Sequence, residues 1–134
     1  MTPVARSILL DAQGLSLLVN RDPAMAAFLI GARRSDIPMV ISPATIVEVV
    51  HRRTDRSRLD WLLSRLAVEP ISEHDARTAV RLLHEAGDLH GHAHAIDAMV
   101  AALALRLPEP VVVVTSDPDD WNRLVGDRVR IQRV

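Results

Sequence analysis

Four consecutive valines, Val111 to Val114, run straight into Thr115, Ser116, Asp117, Pro118, Asp119 and Asp120. An unbroken β-branched run of this kind fits a strand buried on both faces. Such strands belong to parallel sheets with helices packed on either side. The acids then stand at the strand's carboxyl end, the edge at which open α/β sheets usually bind ligands. Whether other acids converge there decides what the edge is for.

The rest of the chain alternates in the same way. "SILLD" (7–11) reads as a short apolar strand ended by Asp11, and "AQGLSLLVN" as a turn into a brief helix. "DPAMAAFLIGARR" (22–34) is a helix with Asp22 as cap and Pro23 in its first turn. "IPMVIS" (37–42) is a second buried strand, and "SPATIVEVVHRR" (42–53) a helix opened by Ser42 and Pro43 and carrying Glu48. After the polar break "TDRS", residues 58–66 read as helical and "AVEPI" as a short strand. "SEHDARTAVRLLHEAG" (72–87) runs from a Ser cap to a Gly stop, and residues 92–107 form an Ala-rich helix. The valine strand (111–115), a capped helix "DPDDWNRLV" and a final edge strand "VRIQRV" complete the chain. Strands alternating with helices imply βαβ units, so the expected fold is α/β: a three-layer α/β/α sandwich with a mostly parallel central sheet.

With 134 residues, 49% of them hydrophobic, the chain suits one domain (1–134) built on one core. Cysteine is absent, so there is neither a disulfide framework nor a thiolate metal site, and a reducing cytoplasm is the expected setting. No stretch approaches the roughly 20 apolar residues of a membrane span, and Asp11 interrupts the apolar N-terminal segment, so no membrane association is expected. The net charge of −1 argues against a protein that holds nucleic acid through a strong overall positive field. All sixteen basic residues are Arg. The absence of Lys speaks against receiver domains and haloacid-dehalogenase-like phosphatases, α/β folds expected to need one. Three aromatics, Phe28, Trp61 and Trp121, are too few for a base-stacking platform.

Two more acids are locally out of place. Glu48 lies within "TIVEVV" and Asp97 within "HAIDAMVAALAL", each among apolar residues on a helix expected to be largely buried. A buried carboxylate must be paired or must hold a cation. Each acid also has an ordinary explanation. Asp117 before Pro118 looks like an N-cap, and Asp119 and Asp120 favour the helix dipole. Asp97 lies in the first turns of its helix, Glu48 has Arg52 four residues on, and Asp11 precedes a short helix it could cap. A shared carboxylate metal site and four separate structural roles both remain open on these grounds.

The ordered segments "LLDAQ", "SPATIVEVV", "HAIDAMVAALA" and "VVVVTSDPDDW" resemble a PIN-domain ribonuclease, especially the VapC-like toxins of bacterial toxin-antitoxin pairs. The likeness covers almost the whole chain, with the "TSDPDD" turn and the "IDAMVAALA" helix as its most specific pieces. It implies that Asp11, Glu48, Asp97 and Asp117 form the acidic quartet that binds Mg²⁺ or Mn²⁺, with Thr115 and Ser116 supporting the pocket and Asp120 beside them. It also implies a homodimer and inhibition by a VapB-like antitoxin.

Two departures stand out. The family often carries Ser, Thr or Asn just after the first Asp. Here Ala12 and Gln13 follow, so that contact is missing or Gln13 makes it. Some relatives carry a further acid one turn before the late-helix Asp, where this chain has His94, three residues before Asp97 and able to face the same way as a ligand or outer partner. His90 and His92 read as loop histidines, since no second ligand pair completes a zinc site. Clustered carboxylates suit Mg²⁺ and Mn²⁺ better than Zn²⁺. The expected chemistry is hydrolysis of RNA to 5′-phosphate and 3′-hydroxyl ends, with Arg52, Arg53 and Arg56 in "HRRTDRSR" as the local basic patch for phosphates. Two rivals are a PIN-like binding protein without turnover and a metal-dependent nuclease acting on DNA.

Overall fold

The computed structural model describes residues 4–87, 89 and 91–134. Five strands form one sheet: β1 (Ser7–Leu10), β2 (Met39–Ile41), β3 (Ala67–Val68), β4 (Val111–Thr115) and β5 (Arg130–Arg133). Their order is β3-β2-β1-β4-β5 and every pairing is parallel, so the edge strand β5 is parallel too. The seven helices among the described residues are α1 (Ala12–Val19), α2 (Pro23–Arg34), α3 (Pro43–Val49), α4 (Arg56–Leu63), α5 (Glu73–Glu85), α6 (Gly91–Leu105) and α7 (Pro118–Val125).

Alternation along each strand divides the interior in two. Ile8, Leu10, Met39, Ile41 and Val114 meet Leu15, Leu18, Met25, Leu29, Leu59 and Leu62 from α1, α2 and α4. Leu9, Val40, Val111 and Val113 meet the other layer, which presents Leu82, Val100, Leu103, Trp121 and Leu124 from α5, α6 and α7. The valine run is therefore apolar on both faces because both faces are covered.

Sheet order fixes where a cleft can form. The chain builds outward from β1 through β2 to β3, then crosses to the far side of β1 for β4 and β5. With right-handed crossovers, that reversal sends the early helices to one face and the late helices to the other. The crevice opens where the two sets diverge, at the carboxyl ends of β1 and β4. These strands are in register from Ser7 opposite Val111 to Leu10 opposite Val114, and the Asp11 N–H continues the ladder to the Val114 carbonyl at 2.9 Å.

Two expectations need correction. The helix expected over 42–53 stops at Val49, because Val50 is extended (ψ 127°) and the His51 N–H turns to the Thr54 hydroxyl at 2.9 Å. Nor is that helix largely buried. Only Thr45 is, and Val47 is 77% exposed, because this short element covers the end of α1 rather than a face of the sheet.

Candidate active site

Among the described residues, four helices are capped by side chains. Asp22, Ser42, Asp55 and Ser72 each accept a backbone N–H in the first turn of α2, α3, α4 and α5. Asp11 and Asp117 occupy the same N-cap position on α1 and α7, and neither makes a cap hydrogen bond through its side chain. The cap each forgoes is worth about 1 kcal/mol, so the ordinary explanation for these two acids fails.

The Asp11 carboxylate turns instead across the sheet edge. Its Oδ2 accepts the Thr115 hydroxyl at 2.9 Å and the Trp121 indole N–H at 3.1 Å. Thr115 Oγ1 in turn accepts the Asp117 backbone N–H at 3.0 Å, so one hydroxyl joins the first strand-end acid to the turn bearing the second. Thr115 is fully buried and Trp121 nearly so. Gln13 is exposed and makes no hydrogen bond to Asp11 among the described residues.

The remaining acids belong to the same electrostatic neighbourhood. Asp97 has a raised pKa, first because burial strips water from its half-buried carboxyl, then because Asp11, Asp120 and Asp117 repel its charge, while His94 acts in the opposite direction. Glu48 is also raised, by desolvation first and then by Asp11 and Asp97. By surface area Glu48 is exposed, so the mutual repulsion is the sturdier part of its shift. Asp97 is the seventh residue of α6, beyond the first turn where the helix dipole acts. Glu48 and Arg52 form no ion pair among the described residues, since α3 ends between them. Asp11, Glu48, Asp97, Asp117 and Asp120 thus converge, with His94 at their margin.

The set has the composition for a hard divalent cation: carboxylate oxygens, with two of the carboxyl groups raised in pKa by burial first and by mutual repulsion second. The donors are gathered without being closed into a shell. Among the described residues, no three or more His, Asp or Glu side chains stand poised to hold an ion.

Ser116 is exposed and makes no hydrogen bond to the acids among the described residues. Arg52, Arg53 and Arg56 are exposed in the α3–α4 connection and the first position of α4. The neighbouring Asp55 is committed elsewhere: it caps α4 through the Arg58 N–H and pairs with Arg21 at 3.3 Å. His92 begins α6 rather than lying in a loop, and His90 lies outside the described residues.

Trp121 is the residue that the motif reading missed. Its signal was present: an indole one helical turn after Asp117 buries its body easily, but its N–H needs a partner. Concavity alone misleads. A hollow of about 700 Å³ between α2 and β5, lined by Phe28, Gly31, Val112 and Arg130 among others, contains no acid.

Comparison with known proteins agrees with this geometry. No curated protein matches the chain. Among solved structures, the fold is similar to VapBC2 from Rickettsia felis bound to a DNA fragment from their promoter (TM-score 0.72, 19% identity, 96% of this chain and 98% of that chain covered). It is also similar to DNA-bound VapBC from Salmonella typhimurium (TM-score 0.67, 18% identity, 95% and 97% covered). FitAcB from Neisseria gonorrhoeae is a third (TM-score 0.61, 20% identity, 92% and 95% covered). The PIN domain profile matches residues 8–126, a span that takes in β1, the switch-point crevice and every acid gathered there, and the chain therefore belongs to the PIN-domain family.

Proposed function

We propose that this protein is a metal-dependent endoribonuclease and the toxin member of a toxin-antitoxin pair. The observation that carries the reading is the convergence of Asp11, Glu48, Asp97 and Asp117 at the β1/β4 switch point, with both strand-end acids released from helix capping. PIN domains are generally nucleases, and the similar solved structures are VapBC complexes. A VapB-like antitoxin is accordingly the proposed protein partner, and a cytoplasmic homodimer the proposed working form. No helix among the described residues is long and apolar enough to cross a membrane.

Asp11, Asp97 and Asp117 are the proposed ligands of Mg²⁺ or Mn²⁺. When bound, such an ion lowers the pKa of a water and offsets charge on the phosphodiester. Thr115 and Trp121 hold Asp11 in place. Glu48 is a further ligand of the ion or orients the attacking water and receives its proton. The water oxygen bonds to phosphorus as the P–O3′ bond breaks, and the departing O3′ takes a proton from solvent, leaving 5′-phosphate and 3′-hydroxyl ends. Arg52, Arg53 and Arg56 lie along the chain just beyond Glu48, and their charge serves the phosphates flanking the scissile bond.

The test is calorimetric titration of Mn²⁺ into the wild type and Asp97→Asn, with RNA cleavage followed in the same samples. The wild type binds the ion and cleaves while the variant loses both. A wild type that cleaves RNA equally well in excess chelator refutes the reading.

A further inference from the structure

Both side-chain donors to Asp11 end on the same oxygen. Thr115 Oγ1 and Trp121 Nε1 reach Oδ2 at 2.9 and 3.1 Å, and no described residue donates to Oδ1. The polarity of the hydroxyl is fixed, because Thr115 Oγ1 already accepts the Asp117 N–H and its proton goes to Asp11. A carboxylate oxygen offers about two lone-pair sites, so two donors at these lengths fill Oδ2. The indole cannot easily swing away. Trp121 is 4% exposed within the α5–α7 core layer, and its backbone N–H bonds the Asp117 carbonyl at 3.3 Å.

We infer that Trp121 is a positioning residue: with Thr115 it occupies Asp11 Oδ2 and leaves Oδ1 as the single ligand oxygen, which favours small octahedral ions over Ca²⁺. This rests on the metal-site reading above. Mg²⁺ demands near-ideal octahedral geometry, whereas Ca²⁺ takes six to eight oxygens and readily accepts both oxygens of one carboxylate. An Asp11 with one oxygen already filled can serve the first mode and not the second. Mn²⁺ stands in for Mg²⁺ as the measured ion, since the same oxygen donors suit both.

The experiment titrates Mn²⁺ and Ca²⁺ separately into the full-length wild type, Trp121→Phe and Thr115→Val, with thermal melts to establish folding. Trp121→Phe keeps an aromatic ring and removes the donor. Its Mn²⁺ affinity falls about 10–100-fold, the usual cost of losing a partner of a metal ligand, while Ca²⁺ affinity changes by less than about threefold. Thr115→Val lowers the Mn²⁺/Ca²⁺ ratio in the same direction. A merely structural indole costs both ions equally, and an unchanged ratio in both variants overturns the inference.

A second readout uses the wild type alone. The chain has two tryptophans, so its ¹⁵N-labelled form gives two indole N–H signals. The Trp121 signal is protected from solvent exchange and broadened by Mn²⁺, unlike that of Trp61, which is 46% exposed. A Trp121 indole that exchanges as fast as that of Trp61 refutes the hydrogen bond even where Trp121→Phe fails to fold. If the wild type binds neither ion while the indole stays protected, the metal reading falls and the hydrogen bond is scaffold only.

Discussion

Gly14 is where the scaffold beneath the site is tightest, and Gly14→Ala tests it. The residue is buried near the start of α1, three positions after Asp11, where the helix passes over β1 and β4. A methyl group built there lies 3.2 Å from Leu10 Cδ2, 3.3 Å from Val114 Cγ1 and 3.5 Å from Leu10 Cβ. Ordinary carbon contacts are about 3.5–4.0 Å, so α1 or its neighbours must give by a few tenths of an ångström. Neither neighbour has room. Leu10 and Val114 are both fully buried, and Val114 is β-branched on a central strand, stiff at χ1. Replacing Gly by Ala in a helix gains about 0.5–1 kcal/mol, while overpacking a filled core costs about 1–3 kcal/mol. The expected net is a loss of about 1 kcal/mol, a fall in Tm of about 4 °C for a chain of this size. Because the strain pushes α1 away from β4, the Asp11–Thr115 bond loosens with it and Mn²⁺ affinity falls too. Chemical denaturation and calorimetry on the same preparation measure both. A Gly14→Ala protein that melts higher than wild type, with unchanged Mn²⁺ affinity, shows that the layer yields freely and refutes the argument.

Asp97→Asn removes a charge repelled by three neighbouring acids, so the metal-free variant melts above the metal-free wild type and gains nothing from added Mn²⁺; an equal gain in both rules out Asp97 as a ligand. The pH dependence follows from the raised acids. Glu48 and Asp97 favour the folded state most when protonated, so their contribution is present below their ordinary values of 4.5 and 3.8 and is lost as pH rises through the higher folded values. In chelator, melts therefore show a gain on acidification towards the ordinary Glu48 value of 4.5 that Glu48→Gln with Asp97→Asn abolishes. Asp75, 1% exposed and held at 2.9 Å by Arg106, has a lowered pKa because its capping bonds and the guanidinium outweigh desolvation. Its contribution is lost as pH falls below 3.8, and Arg106→Ala costs about 2–3 kcal/mol at pH 7, discounted for the half-open Arg side, measured by urea unfolding. Replacing Arg52, Arg53 and Arg56 with Ala lowers single-strand RNA affinity and makes the slope of log K against log salt shallower by about 2, at about 0.7 per phosphate contact.

Much of this was legible in the order of residues. Val111–Val114 announced a doubly covered parallel strand, and Pro23 and Pro43 behind Asp22 and Ser42 marked two helix starts that the structure keeps. Asp97 was visible as an anomaly because an acid interrupting an apolar helix has few cheap structural roles, whereas Asp11 and Asp117 each also read as an ordinary cap. Three things were hidden. The end of α3 turns on the Thr54 hydroxyl catching the His51 N–H, a local contest that helical periodicity does not register. The exposure of Glu48 depends on where α3 sits in space. The Trp121–Asp11 bond joins residues 110 apart, and only the β1–β4 register brings them together.

That separation sets when the site comes into being. Asp11 is synthesised 104 residues before Thr115 and 110 before Trp121, the two residues that hold it. The β4 neighbour of β1 is therefore made long after β1 itself, and a nascent chain cannot complete the crevice until β4 and α7 have left the exit tunnel. Proteins made of long-range parallel pairings fold late and slowly for the same reason. This order of assembly keeps Asp11 apart from the residues that hold it until β4 and α7 have emerged.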